Sequence, residues 1–114
     1  MQLVERYDAI YVRESSRKQI KQGYNIHTQE DLCRKFLEVK NDGREILEIK
    51  VYKEKGYSAK GMRRPVFNTL LKDVRDGKVR NIVVQKLDRF GRSTAGIFSM
   101  INEFLDVGTY LIAL

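Results

Sequence analysis

The chain has 114 residues, 42% of them hydrophobic and one a proline, so it fits one compact domain rather than two domains or a disordered tail. Lysine and arginine total 22 against 15 acidic residues, and the formal net charge of +7 favours a polyanionic partner such as nucleic acid. The single cysteine, Cys33, excludes an internal disulfide and a clustered thiolate metal site, and it fits a reducing cytoplasm. No apolar run approaches the roughly 18 residues that span a bilayer, and the N-terminal MQLVERYD lacks a signal-peptide core, so we expect a soluble intracellular protein.

Short β-rich runs alternate with longer amphipathic runs along the chain. The run YDAIYV predicts a first, buried strand over residues 7–12. Apolar residues at helical spacing predict a helix that follows, with Asn25 as its N-cap and Gly43 just past its end. The run EILEIKVY then predicts a second strand over residues 45–52.

The second half of the chain continues this alternation. Pro65, favoured at the first helical position, begins a helix with an apolar face that ends at Gly77, and NIVVQ predicts a strand over residues 81–85. A third helix, capped by Ser93 or Thr94, precedes a last strand over residues 110–114. This third helix bears Ile97, Phe98, Ile101, Phe104 and Leu105 and ends at Gly108.

The order β-α-β-α-β-α-β predicts an α/β fold: an open, mainly parallel four-stranded sheet with helices on both faces. In such sheets, functional sites form beyond the carboxyl ends of the strands. Three polar segments leave those ends, at residues 13–19, 54–64 and 86–92. We therefore expect these three segments to converge.

Arginines surround serines in the converging segments. Arg13 lies two residues before Ser15, and Arg89 and Arg92 are three residues apart. Arg64 directly precedes the second helix, where free N–H groups and the helix dipole favour an anion. Because the arginine side chain offers a planar fork of donors that matches phosphate oxygens, the cluster indicates a phosphate-binding edge.

The sequence offers few of the residues that other catalytic mechanisms require. A Ser-His-Asp triad would require the one histidine, His27, to reach back from the start of a helix to Ser15 or Ser16. No metal-ligand spacing or Walker loop is present, so we expect neither metal nor cofactor. Cys33 lies on the apolar stripe of its helix and is interpreted as a core residue.

Four sequence motifs, in this order, resemble the catalytic domain of serine site-specific recombinases. They are YVRESS after the first strand, GYNIHTQ opening the first helix, EKGYSAKGMRRP before the second helix and VVQKLDRFGRS after the third strand. The second and third motifs look most like those of the large serine recombinases of transposons and phages. The resemblance covers essentially the whole chain.

The resemblance implies which residues act. Ser15 matches the nucleophile that joins DNA through a 5′-phosphoserine and leaves a free 3′-hydroxyl, whereas Ser16 is interpreted as a turn residue. Gln19 and Gln29 match two glutamines that recur in the family, Gln19 near the active site. Glu54 stands where the family usually has aspartate. The remaining matches are the phosphate-binding Arg13, Arg64, Arg89 and Arg92, and Asp88, which we interpret as the residue that orients Arg89.

The resemblance also implies the setting of the domain. Residues 1–114 correspond to an N-terminal catalytic domain that stops before a long oligomerisation helix and separate DNA-binding domains. The implied partners are double-stranded DNA and, in the full-length protein, further copies that form a dimer and a tetramer. The implied location is the bacterial cytoplasm, at the nucleoid, and the isolated piece is expected not to recombine DNA. Two alternatives stay open: a degenerate DNA- or partner-binding module, and a phosphohydrolase with a related sheet.

Overall fold

The computed structural model describes residues 6–13, 26–41, 48–54, 64–87 and 94–114. These contain four strands and three helices in the predicted order. The strands are β1 (Tyr7–Arg13), β2 (Ile49–Glu54), β3 (Val79–Val84) and β4 (Tyr110–Ala113). The helices are α1 (Ile26–Asn41), α2 (Pro65–Arg75) and α3 (Thr94–Asp106).

Pairing with the central strand β1 decides where its neighbours begin and end. β2 continues two residues past its predicted end to Glu54, which pairs with Arg13. β3 begins two residues before its predicted start, at Val79, which pairs with Tyr7. A local hydrophobic pattern cannot predict these strand ends, because the paired residues are far apart in the sequence. The predicted caps Asn25, Gly43 and Ser93 lie outside the described residues.

All strand pairs are parallel, and their order across the sheet is β2-β1-β3-β4. The connection through α1 leads from β1 to its neighbour β2, whereas the connection through α2 crosses β1 to reach β3 on the other side. The chain therefore changes winding direction between β1 and β3. In open α/β sheets, the crevice at such a switch point, beyond the carboxyl ends of the strands, is the usual binding place.

Helices cover both faces of the sheet, as predicted. On one face α1 packs its Cys33 and Leu37 against alternate residues of the strands, while α2 and α3 pack on the opposite face. Cys33 is fully buried, which confirms it as a core residue, and burial raises the pKa of its thiol to about 12. The strand residues under α1 are Ile10, Val12 and Val83, and those under α2 and α3 are Ala9, Tyr11, Tyr52, Val79, Ile82 and Val84.

Helix α3 buries only part of its apolar surface. Ile97 and Phe104 are buried, but Phe98 is 62% exposed and Leu105 is 49% exposed. The residues that face the sheet are covered, and those on the outer ridge are not, because the sheet lies on only one side of this helix. No helix in the described part of the chain is both long and apolar enough to cross a membrane.

Arg6 joins the C-terminal ends of two helices at the amino edge of the sheet. Its guanidinium donates to the carbonyl oxygen of Gly77 beyond α2 (3.2 Å) and to those of Val107 (2.6 Å) and Gly108 (3.0 Å) beyond α3. These carbonyls lie at the negative ends of the helix dipoles, where a cation is favourable. Arg6 therefore fixes both helices on the face that carries the larger part of the core.

Gly77 and Gly108, which follow these helices, differ in how closely Arg6 approaches them, and this difference allows a test of the Arg6 contact. Both have positive φ, 75° at Gly77 and 77° at Gly108. A Cβ at Gly77 would meet nothing within 4 Å, but a Cβ at Gly108 would lie 2.9 Å from Nη1 of Arg6. We expect Gly77→Ala to lower the free energy of unfolding by about 1 kcal/mol through backbone strain. Gly108→Ala should cost about 1–2 kcal/mol more, because the guanidinium must leave its carbonyl partners.

Denaturant unfolding measures both changes, and repeating them in an Arg6→Met background isolates the contact. In the Arg6→Met background, Gly108→Ala should lower the free energy of unfolding no more than Gly77→Ala does. Equal penalties for the two glycine changes in the wild-type background would contradict the assigned role of Arg6.

Candidate active site at the carboxyl edge of the sheet

Two of the predicted phosphate-binding arginines lie in the described part of the chain, and both are at the carboxyl edge. Arg13 is the last residue of β1 and pairs with Glu54, the last residue of β2. Arg64 directly precedes α2. The other predicted site residues lie outside the described residues; they are Ser15, Gln19, Asp88, Arg89 and Arg92.

Glu54 caps helix α2 from the neighbouring strand. The residue is 2% exposed, and its carboxylate accepts the main-chain N–H of Val66 at Oε2 (3.2 Å) and that of Phe67 at Oε1 (3.0 Å). The residue at the N-cap position, Arg64, makes no side-chain capping bond of its own. Burying a carboxylate is costly unless it is hydrogen-bonded, and these charge-assisted bonds at the positive end of a helix dipole offset that cost.

This cap corrects the expectation that free N–H groups at the start of α2 would hold a bound anion. Pro65 has no N–H group. The N–H groups of Val66 and Phe67 bind Glu54, and that of Asn68 donates to the carbonyl oxygen of Arg64 (2.9 Å). The anion at this helix N-terminus is therefore the protein's own carboxylate.

Arg64 is held by two aromatic side chains. Its guanidinium carbon lies 3.8 Å from the ring centroid of Phe67 and 5.4 Å from that of Tyr11, within the range of cation–π attraction. Nε and Nη2 also donate to the Tyr11 hydroxyl, at 3.3 and 3.2 Å. The two rings meet edge to face with their centroids 5.5 Å apart. These contacts restrict the rotation of a long side chain before any ligand binds.

The Tyr11 hydroxyl connects Arg64 to Glu54. It accepts from the guanidinium and donates to Oε1 of Glu54 (3.2 Å). Burial raises the pKa of Tyr11 to about 12, although the hydrogen bond and charge of Arg64 act in the opposite direction. The hydroxyl therefore keeps its proton at neutral pH and can serve both partners. Sequence reasoning missed this role, since the one available signal is a tyrosine two residues before Arg13.

The other end of α2 is tied to the sheet by Asp73. The Tyr52 hydroxyl donates to its Oδ2 at 2.6 Å, and the Tyr7 hydroxyl donates to the same oxygen at 3.3 Å. Burial raises the pKa of Asp73, but these hydrogen bonds and the nearby Lys50 ammonium outweigh it, so the net shift is downward. Asp73 and Glu54 together anchor α2 at both ends, and this fixes the point from which Arg64 projects.

The alternative chemistries gain nothing from the described residues. His27 is exposed on α1. In the ranges that the structure describes, no three His, Cys, Asp or Glu side chains gather as a metal site would require. The described part of the edge instead offers the guanidinium of Arg64, which the Tyr11 and Phe67 side chains orient.

Replacing Glu54 by glutamine tests the cap. In Glu54→Gln the side chain keeps its shape, but its NH₂ group faces main-chain N–H donors and one hydrogen bond is lost. We expect the free energy of unfolding to fall by about 2–3 kcal/mol, measured by denaturant unfolding. The exposed Glu48→Gln removes the same charge and should cost less than about 0.5 kcal/mol. Similar losses in the two variants would contradict the capping role.

Comparison with known proteins places this edge in a family context. The family described as "Resolvase, N terminal domain" matches residues 9–114. No protein with a curated description matches the chain.

Solved structures with the same fold agree with this family match. The N-terminal catalytic domain of TP901-1 integrase is 26% identical with a TM-score of 0.78, over 96% of this chain and 78% of that one. A resolvase family site-specific recombinase from Streptococcus pneumoniae is 32% identical with a TM-score of 0.71, over 95% and 71% of the two chains. The catalytic domain of ISC1926 TnpA, an IS607-like serine recombinase, shares the fold at 20% identity and a TM-score of 0.69, over 94% and 68%. The family match includes residues of all four strands and all three helices, and the chain belongs to the resolvase family of serine recombinases, enzymes that break and rejoin DNA strands.

Proposed function

We propose that Ser15 is the nucleophile of this recombinase domain and that Arg13, Arg64, Arg89 and Arg92 bind the phosphate that it attacks. The observation that carries the proposal is the placement of Arg13 and Arg64 at one edge of the sheet, each next to Glu54. Glu54 pairs with Arg13 across the strands and caps the helix that Arg64 precedes. Ser15 follows Arg13, the last residue of β1, by two residues in the sequence.

The reaction at this edge is a phosphoryl transfer. The Ser15 oxygen forms a bond to phosphorus as the bond to the DNA 3′-oxygen breaks, which leaves a 5′-phosphoserine and a free 3′-hydroxyl. Attack by the 3′-hydroxyl of a partner strand reverses the step and releases the serine. One phosphoester replaces another each time, so the reaction requires neither ATP nor water. Negative charge on the phosphoryl oxygens is stabilised by donors already in place, usually the largest single catalytic contribution.

The remaining residues have supporting roles in this proposal. Gln19 belongs to the active-site segment, and Asp88 orients Arg89. The domain is the N-terminal catalytic part of a longer recombinase whose further domains recognise the site. Its substrate is double-stranded DNA, which its formal net charge of +7 attracts. We further propose that the full-length protein assembles into dimers and tetramers on DNA in the bacterial nucleoid.

A nicked duplex of the recombination site tests the proposal with the full-length recombinase. Cleavage a few nucleotides from a nick in the same strand releases a short fragment that carries the 3′-hydroxyl, so rejoining is prevented and the covalent product accumulates. We expect a protein–DNA adduct linked through a 5′-phosphate to Ser15, identified by denaturing gel and peptide mass spectrometry. Ser15→Ala should abolish the adduct and Ser16→Ala should retain it. Site binding without an adduct would instead support the binding module, and released 5′-phosphate ends without an adduct would support the phosphohydrolase.

The same assay tests the contribution of Arg64. Arg64→Ala should slow adduct formation at saturating DNA roughly a hundredfold to a thousandfold, since one preorganised donor to the phosphoryl oxygens is lost. Arg75→Ala is the matched control, because Arg75 lies at the opposite end of α2 and pairs with Glu103 on the surface. Equal slowing by the two changes would mean that the loss of positive charge, and not the position of Arg64, matters.

A further inference from the structure

The central strand β1 extends past its pairing with β3. Its register with β2 continues to Arg13 and Glu54, but its register with β3 ends at Ile10 and Val83. The last residues of β1 therefore stand at the switch point of the sheet with strand pairing on the β2 side only. This is the crevice from which the chain continues toward Ser15.

The main chain of Arg13 faces the side that β3 leaves open. Main-chain groups alternate in direction along a strand. The N–H of Tyr7 donates to Lys78 on the β3 side, and that of Asp8 donates to Glu48 on the β2 side. Continuing this alternation along β1 places the N–H and C=O of Arg13 on the β3 side.

Helix α1 fills this position with the side chain of Gln29. The amide is fully buried. Its Nε2 donates to the carbonyl oxygen of Arg13 at 3.0 Å, and its Oε1 accepts the N–H of Arg13 at 3.3 Å. One side chain thus makes the pair of bonds that a peptide group of a neighbouring strand would make. Gln29 lies in the first turn of α1, so these bonds also join the two ends of the segment 14–25, which contains Ser15 and Gln19.

We propose that Gln29 is a positioning residue for the recombination reaction. It acts through the main chain of Arg13, where it sets the direction in which the chain leaves β1 and so the approach of Ser15 to the phosphate. This inference rests on the proposed role of Ser15 as nucleophile. It adds a specific requirement, since only a side chain with both a donor and an acceptor at this reach satisfies both main-chain groups.

The test uses the full-length recombinase, the nicked duplex and the variant Gln29→Met, which keeps the length and volume of the side chain but makes neither bond. We expect adduct formation at saturating DNA to slow by about tenfold to a hundredfold, as for other small misplacements of a reacting group. The DNA dissociation constant should stay within about twofold of the wild type. Amide hydrogen exchange at Arg13 should accelerate, which reports the loss of the main-chain bond directly.

A change of similar type at the opposite edge controls for lost stability. Thr109 is fully buried, and its hydroxyl donates to the carbonyl oxygen of Val79 at 2.7 Å. Thr109→Val removes that bond at the amino edge, and its unfolding free energy is measured beside that of Gln29→Met. The control should leave the rate of adduct formation unchanged.

Three results would overturn the inference. One is a folded Gln29→Met protein with the wild-type rate, and another is equal slowing by Thr109→Val at equal loss of stability. The third is a wild-type recombinase that forms no adduct at Ser15, which would remove the proposed function and this inference together. Because the first two results require a wild-type adduct, the two proposals fail in distinguishable ways.

Discussion

The carboxylate of Glu54 is the group on which the carboxyl edge of the sheet depends. It belongs to β2, pairs in register with the last residue of β1 and holds the first turn of α2, so three elements meet at one buried charge. A buried carboxylate without partners would be strongly destabilising, and this constraint determines where α2 can begin. The orientation of Arg64 follows from that placement, because the Tyr11 hydroxyl between Arg64 and Glu54 is bonded to both.

Three buried carboxylates, those of Asp8, Asp73 and Glu54, hold helices and strands together. At the amino edge, Asp8 accepts from the guanidinium of Arg80 and the side-chain amide of Asn81, which links β1 to β3. Asp73 ties the C-terminal half of α2 to tyrosines of the sheet, and Glu54 holds its N-terminus. Each carboxylate has several donors, as burial requires. Asp8 and Asp73 thus hold elements together at the amino edge, and Glu54 does so at the carboxyl edge, where we propose that the reaction takes place.

The two described arginines of the edge are controlled in different ways. Arg64 is restrained through its side chain, between the Phe67 ring and the Tyr11 hydroxyl. Arg13 is restrained through its main chain, which β2 flanks on one side and Gln29 binds on the other. Donors that are ordered before the substrate arrives need little reorganisation during phosphoryl transfer, which is the condition for strong electrostatic catalysis. Both helical layers contribute to this order, one from each face of the sheet.

The order of the elements, the parallel α/β class and the family could be predicted from the sequence, because hydrophobic periodicity, helix-ending glycines and four ordered motifs are local features. The sequence also placed Arg13 and Arg64 at one edge, since parallel strands end together. Three features emerge only from the folded chain: the strand ends at Glu54 and Val79, the exposure of Phe98 and the occupation of the α2 N-terminus by Glu54. These depend on partners that lie up to 72 residues apart, as in the pairing of Tyr7 with Val79, and no local pattern records which distant group satisfies a buried donor or acceptor.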